Sequence, residues 1–210
     1  ISRREQDELS VLSHERARKA IQAGHFKKEI VPITIKTRQG EMIIDTDERP
    51  MDTNMEKMGR LRPVFAKDGS VTAGNASGIN DAAAAVLLMS ASKAKELGLQ
   101  PILEIKGFSS GGLDPAYMGL GPVPAVRTVL GKTGMTIGDI DTIELNEAFA
   151  SQAIGCMREL AIPLDLPNQV GSGISIGHPI GCTGARQVVT GMYMMQRDDK
   201  QRGLFSMCIG

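Results

Sequence analysis

Hydrophobic and polar positions change rhythm several times along the 210 residues, and each change marks an element. Residues 2–23, SRREQDELSVLSHERARKAIQA, read as a helix from the outset. Ser2 followed three places on by Glu5 is a capping-box pattern, and Gly24 supplies the stop. EIVPITIK (29–36) and EMIIDT (41–46) then alternate with a period of two, as half-buried strands joined by a turn at Gly40 would. Residues 47–80 are polar and rich in Gly, Asn, Asp and Pro, and read mostly as loop. DAAAAVLLMSASKAKELG (81–98) is apolar around much of its circumference at its start, which predicts a central, buried helix stopped by Gly98.

Beyond that point strands and helices alternate. ILEIKGF (102–108) predicts a strand, PVPAVRTVLGKTG (122–134) a helix opened by Pro124, and DTIEL (141–145) a short strand. EAFASQAIGCMREL (147–160) and TGARQVVTGMYMMQR (183–197) predict helices, and GLFSMCIG (203–210) a buried strand. The alternation predicts an α/β fold, a sheet covered by helices on both faces. The sequence enters a helix at once and stops on a strand without a closing turn, so further sequence is expected on both sides.

Composition narrows the function classes. Lys+Arg and Asp+Glu both number 24, which gives no basic or acidic field for a nucleic acid or an anionic membrane. Aromatic residues make up 3% and Trp is absent, which disfavours base-stacking platforms. The longest apolar run, 82–89, is far too short to span a bilayer. Cys156, Cys182 and Cys208 are odd in number and form no C-x-x-C pair, which favours a reducing compartment, with a cytoplasmic protein as the default.

The candidate chemistry centres on GSGISIGHPIGCTGA (171–185), where five glycines surround His178. Gly171, Gly173 and Gly177 are spaced one residue too widely for a dinucleotide fingerprint, and no strand precedes them. GISIG fits a G-x-S-x-G nucleophile elbow around Ser175, but Pro179 blocks the helix that an elbow needs directly after it. His178, Cys182 and Cys208 lack the paired spacing of a zinc site, so no metal is expected. A tight turn around a core histidine is the plain alternative.

Two further segments change the weighing. IELNEAFA places Asn146 and Glu147 between a strand and a helix, and FSMCIG places Cys208 at the end of another strand. Singly, Asn146 suits a helix N-cap, Glu147 the helix dipole, and Cys208 a small core position. Together they bring an amide, an imidazole and a thiol to the carboxyl edge of a sheet, where open α/β folds bind ligands. That set suits acyl transfer.

NEAFA (146–150), GISIGHPIGCTGAR (173–186) and SMCIG (206–210), together with RLRPVFAKDGSVTAGNASGINDAAAAVLLMS (60–90) and YMGLGPVPA (117–125), resemble the thiolases. The resemblance covers essentially the whole chain and matches the second half of a thiolase subunit without its last few residues. It implies a layered α-β-α fold, with residues 1–79 the remainder of a coenzyme-A-binding loop domain. Residues 80–100 would be the last helix of the N-terminal domain and residues 101–210 the C-terminal domain. It implies that His178 takes the proton of a nucleophilic cysteine and that Asn146 holds a water which, with His178, forms an oxyanion hole. Cys208 would shuttle a proton, and the Gly210 N–H would serve a second oxyanion hole.

Ser77, Phe65, Ala73, Met118 and Phe149 match positions along the pantetheine tunnel of coenzyme A. Acyl-CoA and CoA are the implied partners, with no cofactor besides CoA as substrate or product, and a homo-oligomeric dimer of dimers is the implied assembly. The resemblance places the acylated cysteine in a V-C-x-S-G-like segment that this sequence does not contain. The implied reactions are cleavage of 3-ketoacyl-CoA by CoA and condensation of two acetyl-CoA. The alternative of another class is a CoA- or acyl-CoA-binding protein of the same fold without a nucleophile. A serine hydrolase at Ser175 is more distant.

Overall fold

The computed structural model describes residues 1–209. Helix α1 (Arg3–Gln22) opens as its sequence requires: Ser2 N–H donates to Glu5 Oε2 at 2.7 Å and Glu5 N–H to Ser2 Oγ at 3.2 Å. Gly24, at φ 71°, turns the chain out of it. β1 (Ile33–Thr37) and β2 (Gly40–Ile44) form an antiparallel hairpin, with Ile33 opposite Ile44. Alternation predicts strands that are half buried, but both faces of this hairpin are exposed because no other element packs on it among the described residues. In the polar stretch that follows, only Met55–Gly59 (α2) is helical, capped by Asn54, and it packs on α1.

The next two expectations fail in an instructive way. Of the helix expected over 81–98, only Ala91–Glu96 (α3) forms, with Ser90 as its N-cap and Gly98 (φ 67°) beyond its end. The apolar residues ahead of it lie in irregular chain, with Leu87 81% exposed. ILEIKGF (102–108) is likewise irregular and open, with no strand paired to it among the described residues. Helical and strand propensity are weak without a packed face, and neither apolar segment finds one among the described residues.

The remaining elements assemble the core. α4 (Pro122–Thr133) begins on a proline and ends at Gly134 (φ 67°). β3 (Thr142–Leu145) pairs in parallel with β4 (Gly203–Ser206), Leu145 opposite Ser206. The observed sheet is therefore this parallel pair, narrower than the alternation suggests. β3 is buried along its length, as a strand covered on both faces must be. α6 (Thr183–Arg197) packs on both strands. α5 (Ala150–Glu159) packs on α1 and α4. Leu9 of α1, Val126 of α4 and Ile154 of α5 join Ile143 and Leu145 of β3 in one apolar cluster. A second cluster joins Ala17 and Ala20 of α1 to Val170, Ile176 and Met194, tying α1 to the glycine-rich segment and to α6. No helix is long and apolar enough to cross a membrane among these residues.

Candidate active site

Because β3 and β4 are parallel neighbours in register, the residues leaving their carboxyl ends emerge side by side. Asn146 follows β3 directly, its N–H donating to Ser206 O at 2.9 Å, and Cys208 follows β4. The helix after β3 starts later than its sequence suggests. Phe149 is its N-cap, so Asn146 and Glu147 are neither cap nor first-turn residues. They form a buried link instead: Asn146 is 0% and Glu147 1% exposed.

The glycine-rich segment wraps this link. Gly173 lies so close that a Cβ built there would stand 2.7 Å from Asn146 Oδ1 and 2.7 Å from Glu147 O. Residues 76–78 run between the two. Ser77 N–H donates to Ala148 O at 2.9 Å, Gly78 N–H to Gly173 O at 3.2 Å, and His178 N–H to Gly78 O at 2.8 Å. Ser77, Asn146 and the His178 loop are thus stitched together by backbone bonds. Ala76 also bridges to Phe149 in antiparallel fashion, and the Phe149 ring meets Phe65 edge-on at 5.9 Å between centroids. Phe149 shares the lining of an open cavity of about 430 Å³ with Met118, Tyr117 and Leu120. Ala73 is the exposed residue of an otherwise buried turn between Thr72 and Asn75. Gly210 lies outside the described residues.

The Asn146 amide is the most telling group. Neither Nδ2 nor Oδ1 meets a hydrogen-bonding partner among the described residues, although the side chain is wholly buried. An unpaired buried amide group costs about 1–3 kcal/mol, and among the described residues Asn146 is the one buried amide with both its oxygen and its nitrogen unpaired.

His178 is held from its far side. Its Nδ1 lies 2.7 Å from Thr183 Oγ1, and the Thr183 hydroxyl donates onward to Pro179 O at 3.0 Å. With its own proton committed, Thr183 accepts from Nδ1–H, which leaves the lone pair on Nε2. Burial, reinforced by the Arg186 charge, moves the His178 pKa below its ordinary value. Burial moves the Cys208 thiol up. Both shifts favour the uncharged forms, an imidazole that can accept a proton and a thiol that can donate one.

Ser175 is fully buried and bonded within the Ser172 turn, which removes the nucleophile elbow. Cys182 is the buried residue preceding α6. Cys156 is wholly buried in α5, its thiol pushed up to about 11 by burial, and it belongs to the core. No cluster of His, Cys, Asp and Glu suited to a metal occurs among the described residues. Sequence reasoning passed over Thr183, five residues after His178, although Pro179 and the helix start that follows bring it back to the ring. It also passed over Ser13 and Asn168, which contact Glu147 from distant parts of the chain.

Comparison with known proteins places the chain in a family. The family model described as the thiolase N-terminal domain matches residues 1–92, and that of the thiolase C-terminal domain matches residues 99–210. An acetyl-CoA acetyltransferase of Syntrophomonas wolfei is 52% identical over 212 residues, an alignment covering 100% of this chain and 54% of that protein. One from Thiocystis violacea is 50% identical over 211 residues, with the same coverage, 100% and 54%. The crystal structure of the Bacillus anthracis acetyl-CoA acetyltransferase superposes with a TM-score of 0.97 at 49% identity, covering 100% of this chain and 54% of that one. That of human mitochondrial 3-ketoacyl-CoA thiolase gives 0.94 at 37% identity, covering 100% and 53%. The chain spans about half the length of the curated relatives it matches.

Proposed function

The chain belongs to the thiolase family, and on that premise we propose that it forms part of an acyltransferase acting on coenzyme A thioesters. The reaction is thiolytic cleavage of a 3-ketoacyl-CoA or its reverse, the condensation of two acetyl-CoA. The observation that carries this reading is the buried, unpaired Asn146 amide at the carboxyl edge of β3, beside the strand that delivers Cys208.

His178 acts as base through Nε2, with Thr183 holding its tautomer. It takes the proton of a nucleophilic cysteine supplied from outside these residues, since the V-C-x-S-G-like segment that would carry it does not occur among them. Asn146, with a water and His178, stabilises a developing thioester oxyanion, and the Gly210 N–H serves the second oxyanion site. Cys208 exchanges a proton with the acetyl α-carbon or the departing thiol. Ser77, Phe65, Ala73, Met118 and Phe149 guide the pantetheine arm. No cofactor beyond the CoA substrate is needed, and a homotetrameric, cytoplasmic enzyme is the setting this reading favours.

The test is turnover of acetoacetyl-CoA with CoA by the intact protein carrying Asn146→Ala or His178→Ala. Loss of one oxyanion-hole donor is worth roughly 100- to 1,000-fold in turnover, so each variant should fall at least 100-fold with its melting temperature little changed. Near-normal turnover in either variant removes that residue from the mechanism.

A further inference from the structure

Glu147 is a buried carboxylate at this edge that the proposed chemistry leaves idle, and its surroundings are unusual. Three donors converge on it, one from α1 and two from the loop between α5 and α6. Ser13 Oγ of α1 donates to Oε2 at 2.6 Å, Ile174 N–H to the same oxygen at 3.4 Å, and Asn168 Nδ2 to Oε1 at 3.0 Å. No cation lies within ion-pairing distance among the described residues. A buried carboxylate without a paired charge is a poor way to gain stability, because apolar residues of like volume do as well or better. Its value lies in geometry.

Asn168 shows what that geometry controls. It is a non-glycine residue at φ 57°, and this backbone lets its amide lie along β3 as a further strand would. Oδ1 accepts from Leu145 N–H at 2.9 Å, and Nδ2 donates to Leu145 O at 2.8 Å as well as to Glu147. The residues on both sides of Asn146 are therefore pinned by one amide. Glu147 in turn holds the N–H of Ile174, next to Gly173, where only the absence of a side chain leaves room for Asn146 Oδ1. Ser13 closes the set from α1, with its Oγ 2.8 Å from Ser175 Oγ.

We propose that Glu147, held by Ser13 and Asn168, is a positioning residue that fixes the Asn146 amide and its Gly173 wall in the geometry for oxyanion stabilisation. This inference rests on the acyl-transfer reading of Asn146. Glutamine cannot replace the carboxylate without loss. The Asn168 amide is locked in orientation by Leu145, so its Nδ2 always offers a proton to Oε1. A glutamine that turns its oxygen there presents its NH2 to Ser13 and Ile174, and the Ser13 hydroxyl can rotate to accept but the Ile174 N–H cannot.

The experiment is a double-mutant cycle in the intact protein, reading kcat and KM for CoA in thiolysis, with a thermal melt for each variant. Glu147→Gln should lower kcat at least tenfold with KM changed less than threefold. In an Asn146→Ala background the same substitution should lower kcat less than threefold further. Ser13→Ala, a mild change on a helix, should lower kcat threefold to tenfold and decides the matter if Glu147→Gln does not fold. Two results overturn the proposal: kcat unchanged in Ser13→Ala and in any folded Glu147→Gln, or a Glu147→Gln loss that multiplies in full with that of Asn146→Ala. Normal turnover in Asn146→Ala alone would instead sink the acyl-transfer reading, and this inference with it.

Discussion

Gly173→Ala is the smallest change that reaches the Asn146 amide. The new Cβ would meet Asn146 Oδ1 at 2.7 Å, Glu147 O at 2.7 Å and Glu147 C at 3.1 Å, where ordinary contacts begin near 3.4 Å. Two of these neighbours are backbone and the third is a short, buried side chain, so none can swing aside. Gly173 is not among the glycines at positive φ, so alanine fits its backbone and the effect is steric alone. Opening the contacts from 2.7 to 3.4 Å moves the amide by more than half an ångström. A misplacement of about 1 Å costs on the order of 100-fold in rate, so kcat should fall between roughly tenfold and 100-fold. Overpacking of this kind costs about 1–3 kcal/mol. For a chain of this size that lowers Tm by roughly 2–12 °C. The assay is thiolysis of acetoacetyl-CoA by the intact protein beside a thermal melt. Gly131→Ala is the control, since its Cβ meets nothing within 4 Å in α4, and it should keep full activity and gain stability. A Gly173→Ala protein with wild-type kcat and Tm would refute the claim that this wall sets the Asn146 position.

Thr183→Val removes the acceptor of the His178 Nδ1–H while keeping the shape. It should lower kcat by about tenfold, as loss of a tautomer-fixing partner lowers general-base efficiency, whereas Thr183→Ser should stay near wild type; equal kcat in both would discount the tautomer argument. Phe65→Ala removes the edge-on partner of Phe149, a contact worth about 0.5–1.5 kcal/mol, so KM for CoA should rise roughly two- to tenfold with kcat unchanged. An unaltered KM would take Phe65 out of the tunnel. His14 is buried, accepts from Met51 N–H through Nδ1, and has its pKa lowered to about 4 by burial, with Arg49 adding to it. A folded pKa below the unfolded 6.5 means that its contribution is complete above pH 6.5 and is lost as pH falls towards 4. The loss amounts to about 3 kcal/mol. Denaturant midpoints of His14→Gln should therefore fall less steeply than wild type over that window, and parallel curves would refute the assignment.

What could be read from the sequence follows from where each signal resides. The capping box at Ser2 and Glu5 is local, so α1 was legible to the residue, and Gly24 and Gly98 mark turns because φ near 70° needs little besides glycine. DAAAAVLLMS and ILEIKGF carry apolar patterns whose meaning depends on a covering partner. With Leu87 81% and Phe108 84% exposed, periodicity alone could not say whether one was there. Likewise the local preference of Asn for helix N-caps offered Asn146 a plain structural role that it does not take, because irregular chain runs on to Phe149 before the helix begins. The motif residues could be named from the chain, but their supports could not. Ser13 meets Glu147 across 134 positions of sequence, and no local pattern marks such a contact.

The central claim is that this site transfers acyl groups and does not merely hold their carrier. The most direct measurement is exchange of labelled CoA into acetyl-CoA by the intact protein, alongside binding of CoA to the same preparation. The account predicts label exchange that falls at least 100-fold in Asn146→Ala while CoA is still bound. CoA bound tightly with no exchange in the wild type would contradict it and identify a carrier of acyl-CoA instead.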